Sequence, residues 1–265
     1  VYTTNGGVDW TDATTTNVGG TQMNDVSMSD ASNGVAVGRS GQIVYTSDGG
    51  DTWTDATTTN VGGTNMEGIS MSDASNGVAV GHSGQIVYTS DGGDTWTAAT
   101  TTNVAGTHME GISMSDASNG VAVGHSGQIV YTSDGGDTWT AATTTNVGTT
   151  NMRGVSMSDA SNGVAVGGTQ IVYTSDGGDT WTTSNLITIR TMHGVSMSDA
   201  SNGVAVGSNG KIVFTVTTSV TVTSSGEKKS DSECNDCTAP SLGISNNYKD
   251  PVRVIDDGIT FNEES

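Results

Sequence analysis

Thr46-Ser47-Asp48-Gly49-Gly50-Asp51-Thr52-Trp53 returns almost unchanged at 89–96, 132–139 and 174–181, and a degraded copy, Thr3-Thr4-Asn5-Gly6-Gly7-Val8-Asp9-Trp10, precedes them all. The tryptophans fall at 10, 53, 96, 139 and 181, a spacing of 43, 43, 43 and 42 residues. A fixed period of that length means a repeat architecture. The residue types say what the octet does. Gln42-Ile43-Val44-Tyr45-Thr46 before it is rich in β-formers and Trp53-Thr54 follows it, so the octet joins two strands as a hairpin turn. Asp48 can accept hydrogen bonds from the turn's own amides, Gly49 and Gly50 can take the positive φ such a turn needs, and Trp53 is a large apolar anchor.

Working outward from the octet, one whole repeat predicts a first strand at 66–71, a second at 77–81, a third at 85–89 and a fourth at 96–101. Four short antiparallel strands make one blade of a propeller. The turn formers of 72–77 join the first two strands, and helical periodicity appears nowhere. Alternation puts Ile69 and Met71 on one face and Val78 with Val80 on one face, while glycine, alanine and serine fill the others and let twisted sheets approach closely. First strands begin at Met23, Met66, Met109, Met152 and Met192, and third strands end at Thr46, Thr89, Thr132, Thr174 and Thr215. The expected fold class is therefore all-β: a five-bladed β-propeller of four-stranded blades over 1–215, with an extended C-terminal tail at 216–265.

The fifth repeat lacks its tryptophan strand, since Lys211-Ile212-Val213-Phe214-Thr215 runs on into Val216-Thr217-Thr218 with no octet. Trp10-Thr11-Asp12-Ala13-Thr14, by contrast, has no blade of its own. The simplest closure puts that strand into the last blade, which joins the ring and removes an exposed sheet edge. In the alternative, 219–225 completes the fifth blade and the first hairpin is left for another subunit.

The spacing Thr46-x-Asp48-x-Gly50-x-Thr52-Trp53 resembles the Asp-box of sialidase-type and related β-propellers. The wider repeat, Met71-Ser72-Asp73-Ala74-Ser75-Asn76-Gly77-Val78-Ala79-Val80-Gly81 followed by Gly84-Gln85-Ile86-Val87-Tyr88-Thr89, resembles the propeller repeat of photosystem II assembly factors over 1–215. The resemblance implies a structural Asp-box set: Asp48, Gly50 and Trp53; Asp91, Gly93 and Trp96; Asp134, Gly136 and Trp139; Asp176, Gly178 and Trp181. The segment 234–261 resembles a stretch of secreted, surface-associated proteins of ammonia-oxidising archaea, which implies an extracellular or cell-surface location.

Sialidases converge three arginines on the substrate carboxylate and use a tyrosine nucleophile. Here Arg39, Arg153 and Arg190 stand at different places in their repeats, and Tyr2, Tyr45, Tyr88, Tyr131 and Tyr173 all share one strand position, which makes them structural. The repeated Asp48, Asp91, Asp134 and Asp176 are turn scaffolding and not the close carboxylate pair that hydrolysis needs. No enzyme activity and no cofactor are expected. The repeats differ after the first methionine, at Asn24, Glu67, Glu110, Arg153 and His193, and before the third strand, at Arg39, His82, His125 and Ser208. One reading puts these positions in loops at the two ends of the propeller; the other makes Glu67, Glu110, Arg153 and His193 a ligand face toward the axis. Ring symmetry would hold His82 and His125 apart, and the spacing in 73–77 is wrong for an EF-hand calcium loop, so no metal site is expected.

Hydrophobic residues are 32% of the chain and glycines number 38, an ordinary apolar share when glycine is counted in, so a core is affordable. No apolar run approaches the length of a membrane-spanning helix, and no charged leader precedes Val1, so a secreted form would be a processed one. With 28 acids against 8 bases the net charge is −20, and neither 1–215 nor 216–265 offers a basic face. Nucleic acid and anionic membranes are unsuitable partners. The acidity reads as solubility, or as a salt- or calcium-rich exterior in which calcium bridges neighbouring molecules. In the tail, Val216 to Ser225 alternate as a strand, and Cys234-Asn235-Asp236-Cys237 lacks both a βαβ context for redox work and a second pair for zinc. A Cys234–Cys237 disulfide is the expectation for an extracellular chain, with two free thiols as the alternative. Near-identical repeats offer no concentrated catalytic constellation. The expected function is therefore structural: a filament or layer subunit, a homopolymer linked by its tails. The alternative is a non-enzymatic propeller that binds a protein or glycan.

Overall fold

The computed structural model describes residues 1–15, 20–58, 61–101, 104, 106–184 and 190–215. The expected strand at 216–225, the Cys234–Cys237 pair and the tail-mediated link between copies lie outside the described residues. What is described is a β-propeller arc of five successive sheets. In the second sheet, Met66–Met71, Gly77–Gly81, Ile86–Thr89 and Thr95–Ala98 run antiparallel in chain order, and Thr57–Thr58 joins the last of them in parallel. The first sheet (Met23–Met28, Gly34–Gly38, Ile43–Thr46, Thr52–Asp55), the third and the fourth share this plan. The fifth holds three strands among the described residues, Met192–Met197, Gly203–Gly207 and Ile212–Phe214.

Two expectations are corrected. The strand expected at 96–101 is two strands in two sheets. Thr95–Ala98 completes its own sheet, and the Ala99 amide still donates to the Ile86 carbonyl; the Thr100 amide then donates to the carbonyl of Asp137 in the next repeat, so Thr100–Thr101 runs parallel to Thr138–Trp139. Each complete blade therefore has four antiparallel strands plus one short parallel strand lent by the repeat before it. The N-terminal strand is also not in the last blade. Thr11 pairs with Tyr2, and Thr14–Thr15 run parallel to Thr52–Trp53 of the first sheet. The reason is that the Thr11 amide and carbonyl, which the third strand of the last blade would need, are both taken up by Tyr2 at 2.9 Å.

The apolar core lies between sheets, not within them. Val35, Val37 and Ile43 of the first sheet pack with Met66, Ile69, Met71 and Trp96 of the second, and the same positions recur at the next two seams. Val61, Val104 and Val147, from the segments between repeats, plug these three seams. The sequence alternation makes this arrangement: each sheet turns the valines of its second strand to one neighbour and the methionines and isoleucine or valine of its first strand to the other. The first strands lie side by side and are stitched together. Ser70, Ser113 and Ser156 hydroxyls each accept the amide of Met114, Met157 and Met197, respectively, in the next repeat, at 2.9–3.0 Å.

The Gly-Gly of each octet is needed for two reasons. Gly136 has φ +96°, and a Cβ there would stand 2.6 Å from Val78 Cγ2 and 3.2 Å from Tyr88 Cβ of the preceding sheet. Gly7, in the degraded copy, shares the left-handed backbone, but a Cβ would meet nothing closer than 3.9 Å. Gly136→Ala is therefore expected to combine backbone strain of roughly 1–2 kcal/mol with a comparable overpacking cost, while Gly7→Ala carries only the strain. Denaturant titration of both variants checks this; equal losses of stability would contradict the seam geometry.

Candidate functional site

The Asp-box turns are closed hydrogen-bond units. Asp48 Oδ1 accepts the Thr46 hydroxyl at 2.8 Å and the Thr52 amide at 2.9 Å, while Oδ2 accepts the Thr52 hydroxyl at 2.5 Å. Thr46 Oγ1 in turn accepts the Gly50 amide, and the indole of Trp53 donates to the Gly50 carbonyl. The same bonds recur at Asp91, Asp134 and Asp176, with Gly93, Gly136 and Gly178. Trp96, Trp139 and Trp181 are fully buried between sheets, and Trp53 is half-buried. The Thr52 hydroxyl and amide, with the Thr46 hydroxyl, hold Asp48 down at about 2. For Asp91, Asp134 and Asp176 burial pulls upward, but the threonine hydroxyls and turn amides together outweigh it and leave each carboxyl below the ordinary range. Asp73 is engaged similarly by the amides of Ser75 and Asn76 and the Asn76 side chain. Among the described residues no group of side chains is placed to hold a metal ion.

The positions at which the repeats differ lie together along one rim of the propeller. This corrects the reading that they occupy its two ends. The start of a first strand is paired with the end of the second, Met66 with Gly81, so the next residue along each, Glu67 and His82, become neighbours. Glu67 Oε1 lies 2.9 Å from His82 Nε2, and Glu110 Oε1 lies 2.5 Å from His125 Nε2. Further along the rim Arg153 Nη1 lies 3.4 Å from His193 Nδ1, and His193 Nε2 lies 2.8 Å from the Ser208 hydroxyl. An arginine can only donate, so His193 accepts at Nδ1 and donates to Ser208 from Nε2. Asn24 donates across a seam to the Met66 carbonyl at 2.8 Å. The four proposed ligand-face residues thus lie on one rim as two pairs: Glu67 and Glu110 are each held by their own repeat's histidine, and Arg153 and His193 by each other.

Two rim-side residues escape the sequence reading. His108 stands where other repeats carry Asn65 and Asn151, whose side-chain oxygens accept the Ser40 and Ser126 amides at 3.0 Å. Its ring lies 4.1 Å from that of His82 and 5.2 Å from that of His125, so imidazoles expected to be isolated form a string across the second seam. His108 Nδ1 is buried without a hydrogen-bond partner. Asp25 replaces the glycine found at 68, 111, 154 and 194, and burial raises its pKa against the lowering effect of the Ile69 and Val26 amides it accepts. The only sequence signal for either is a break in the repeat pattern.

Stacked sheets with parallel lent strands and closed Asp-box turns define the class: an Asp-box β-propeller. The chain belongs to the family of photosynthesis system II assembly factor YCF48, whose model matches residues 7–216. Among solved structures it is similar to YCF48 bound to a D1 peptide (TM-score 0.57, 24% identity, 73% of this chain and 63% of that one). It is similar also to YCF48 from Cyanidioschyzon merolae (TM-score 0.59, 17% identity, 79% and 74%) and to an ancestral GH74 enzyme (TM-score 0.58, 14% identity, 72% and 28%). The chain thus spans less than two thirds of the peptide-bound YCF48. Among curated proteins none matches it in sequence.

Two outcomes follow from this geometry. The Asp-box carboxyls titrate lower when folded than the ordinary 3.8, so the unfolded chain binds more protons as acid is added. Their stabilisation is present above that value and is lost as pH falls toward about 2, the value of Asp48. Tm should therefore drop steeply between those limits, and less so in Asp91→Asn; a flat profile in both would refute it. Second, His108→Asn restores the bond its counterparts make and is expected to stabilise by about 1 kcal/mol, measured as a higher Tm than wild type.

Proposed function

We propose that this protein is a non-enzymatic binding propeller that holds a segment of a partner protein along the rim of Glu67, Glu110, Arg153 and His193. The observation that carries this reading is where the repeats differ. Seams and turns are copied almost letter for letter, while at this rim acid, base and imidazole replace one another from repeat to repeat. The rim is also polarised, with carboxylates on the second and third sheets and a guanidinium on the fourth. It suits an extended segment that presents a basic group to Glu67 and Glu110 and an acidic group to Arg153. Support comes from membership in an assembly-factor family and from the D1 peptide bound by the similar YCF48. The Asp-box carboxyls are consumed by their turns, which favours binding over hydrolysis. The filament reading rests on 216–265, outside the described residues, and the resemblance of 234–261 is what supports an extracellular or cell-surface setting.

A screen of extended peptides of varied charge order against the full chain, followed by calorimetry on the tightest, tests the proposal. Arg153→Ala and Glu110→Gln are expected each to weaken binding about tenfold, or about 1.4 kcal/mol, with Tm unchanged. Peptides that bind both variants as tightly as wild type would place the site elsewhere.

A further inference from the structure

Among the described residues, large apolar side chains are exposed on the first and the fifth sheet, and the two surfaces match the two sides of an interior seam. At each of the first three seams one sheet contributes two valines and an isoleucine, such as Val78, Val80 and Ile86, and the next contributes its first-strand apolar residues, such as Met109, Ile112 and Met114, together with its tryptophan. On the fifth sheet the first set recurs as Val204, Val206 and Ile212, which are 44%, 44% and 65% exposed. On the first sheet the second set recurs as Met23, Val26 and Met28, of which Val26 is 57% and Met28 44% exposed.

A second observation pairs the same surfaces. Beside the fifth sheet is a cleft of about 520 Å³ walled by Val164, Ile171, Tyr173, Val213 and Phe214. The counterparts of Val164 and Tyr173 one sheet earlier, Val121 and Tyr131, are covered by the next octet at Gly178. The first hairpin carries a complete octet turn, with the Gly7 amide on the Thr3 hydroxyl and the Trp10 indole on the Gly7 carbonyl, both 3.0 Å; yet its Trp10 is 60% exposed. One end has a tryptophan turn without a seam, and the other has a seam without a tryptophan turn.

We propose that a second copy of this chain docks head to tail, its first sheet and first hairpin completing the fifth blade of its neighbour. Trp10 of one copy enters the cleft of the other, and Val204 and Val206 cover Val26 and Met28. Tyr2 and Phe214 hold the same position in the repeat, so docking exchanges them: Tyr2 gives up its two 2.9 Å bonds to Thr11, and the Ile212–Phe214 edge pairs there instead. A chain does not make this contact with itself: Val26 and Met28 on the first sheet and Val204 and Val206 on the fifth all stay exposed in one molecule. The contact is heterologous and leaves the same two surfaces open at the ends of any assembly. It is independent of the rim and of the tail.

Sedimentation velocity of the full chain over a concentration series reads it. Wild type is expected to exceed the single-chain mass as concentration rises. Val206→Asp and Met28→Asp should each sediment as single chains, and their equimolar mixture should stop at dimers, because one intact interface remains. Melting curves matching wild type establish folding. Trp10→Ala, at an exposed position, is expected to weaken association about tenfold or more and serves if an aspartate variant fails to fold. Wild type at single-chain mass throughout overturns the proposal, including the case in which deleting 216–265 then permits association. Association undiminished in the variants overturns it as well.

Discussion

No sheet in this protein has a core of its own; each is buried by the sheets on either side. Trp96 sits in the seam between the first and second sheets, not inside the second, and Val35 and Val37 of the first sheet are as much part of its surroundings as Val87 of its own. Such a seam closes only if backbones approach closely. That is the role of Gly93, Gly136 and Gly178, each of which lies where a methyl would strike a valine and a tyrosine of the preceding sheet. The serine-to-amide bonds between first strands serve the same end, since a hydroxyl is the shortest side chain that can reach a neighbouring amide. Stability in such an array is a sum of nearest-neighbour seams, which is why its ends are the places where apolar surface is left over.

The Asp-box solves a different problem. A turn carrying two consecutive positive-φ glycines loses more chain entropy on folding than most, and its amides face away from the strands. Asp48 and Thr46 satisfy them at once, and Thr52 satisfies the carboxylate in return. The carboxyl is thereby held low and has its oxygens occupied. An aspartate so placed is a poor acid, base or nucleophile, so repetition of the motif multiplies scaffolding and adds no active sites.

How much of this could be read in the sequence depends on whether the information is local. The octet, its turn and the blade period are local, and the residue types at 46–53 settle them. The division of 95–101 between two sheets is not: Thr97, Thr100 and Thr101 all favour extended backbone, and composition says nothing about which partner each pairs with. The same holds for the N-terminal strand, which could complete a ring on pattern alone but has Thr11 paired with Tyr2. The rim was hidden by sequence distance. Glu67 and His82 are 15 residues apart, and only the pairing of Met66 with Gly81 makes them neighbours. His108 was harder still, because an asparagine-to-histidine change between two glycine-rich loops reads as neutral until its ring is found between His82 and His125.

That the rim can vary while the seams cannot has a physical cause. Each rim side chain stands beside the first methionine of a first strand or just past the end of a second, so its substitution removes no apolar seam contact, and polar atoms of the rim meet one another. A glutamate is matched by a histidine one strand away, and an arginine is matched by a histidine one repeat away. These pairs are part exposed, and exposed ion pairs contribute little to stability, so replacing Glu67 by the residue of another repeat leaves the fold intact. In a described region with 4 bases against 19 acids, a guanidinium held at the rim by an imidazole is the unusual feature. It marks the point at which a scaffold built of copies can tell one partner from another.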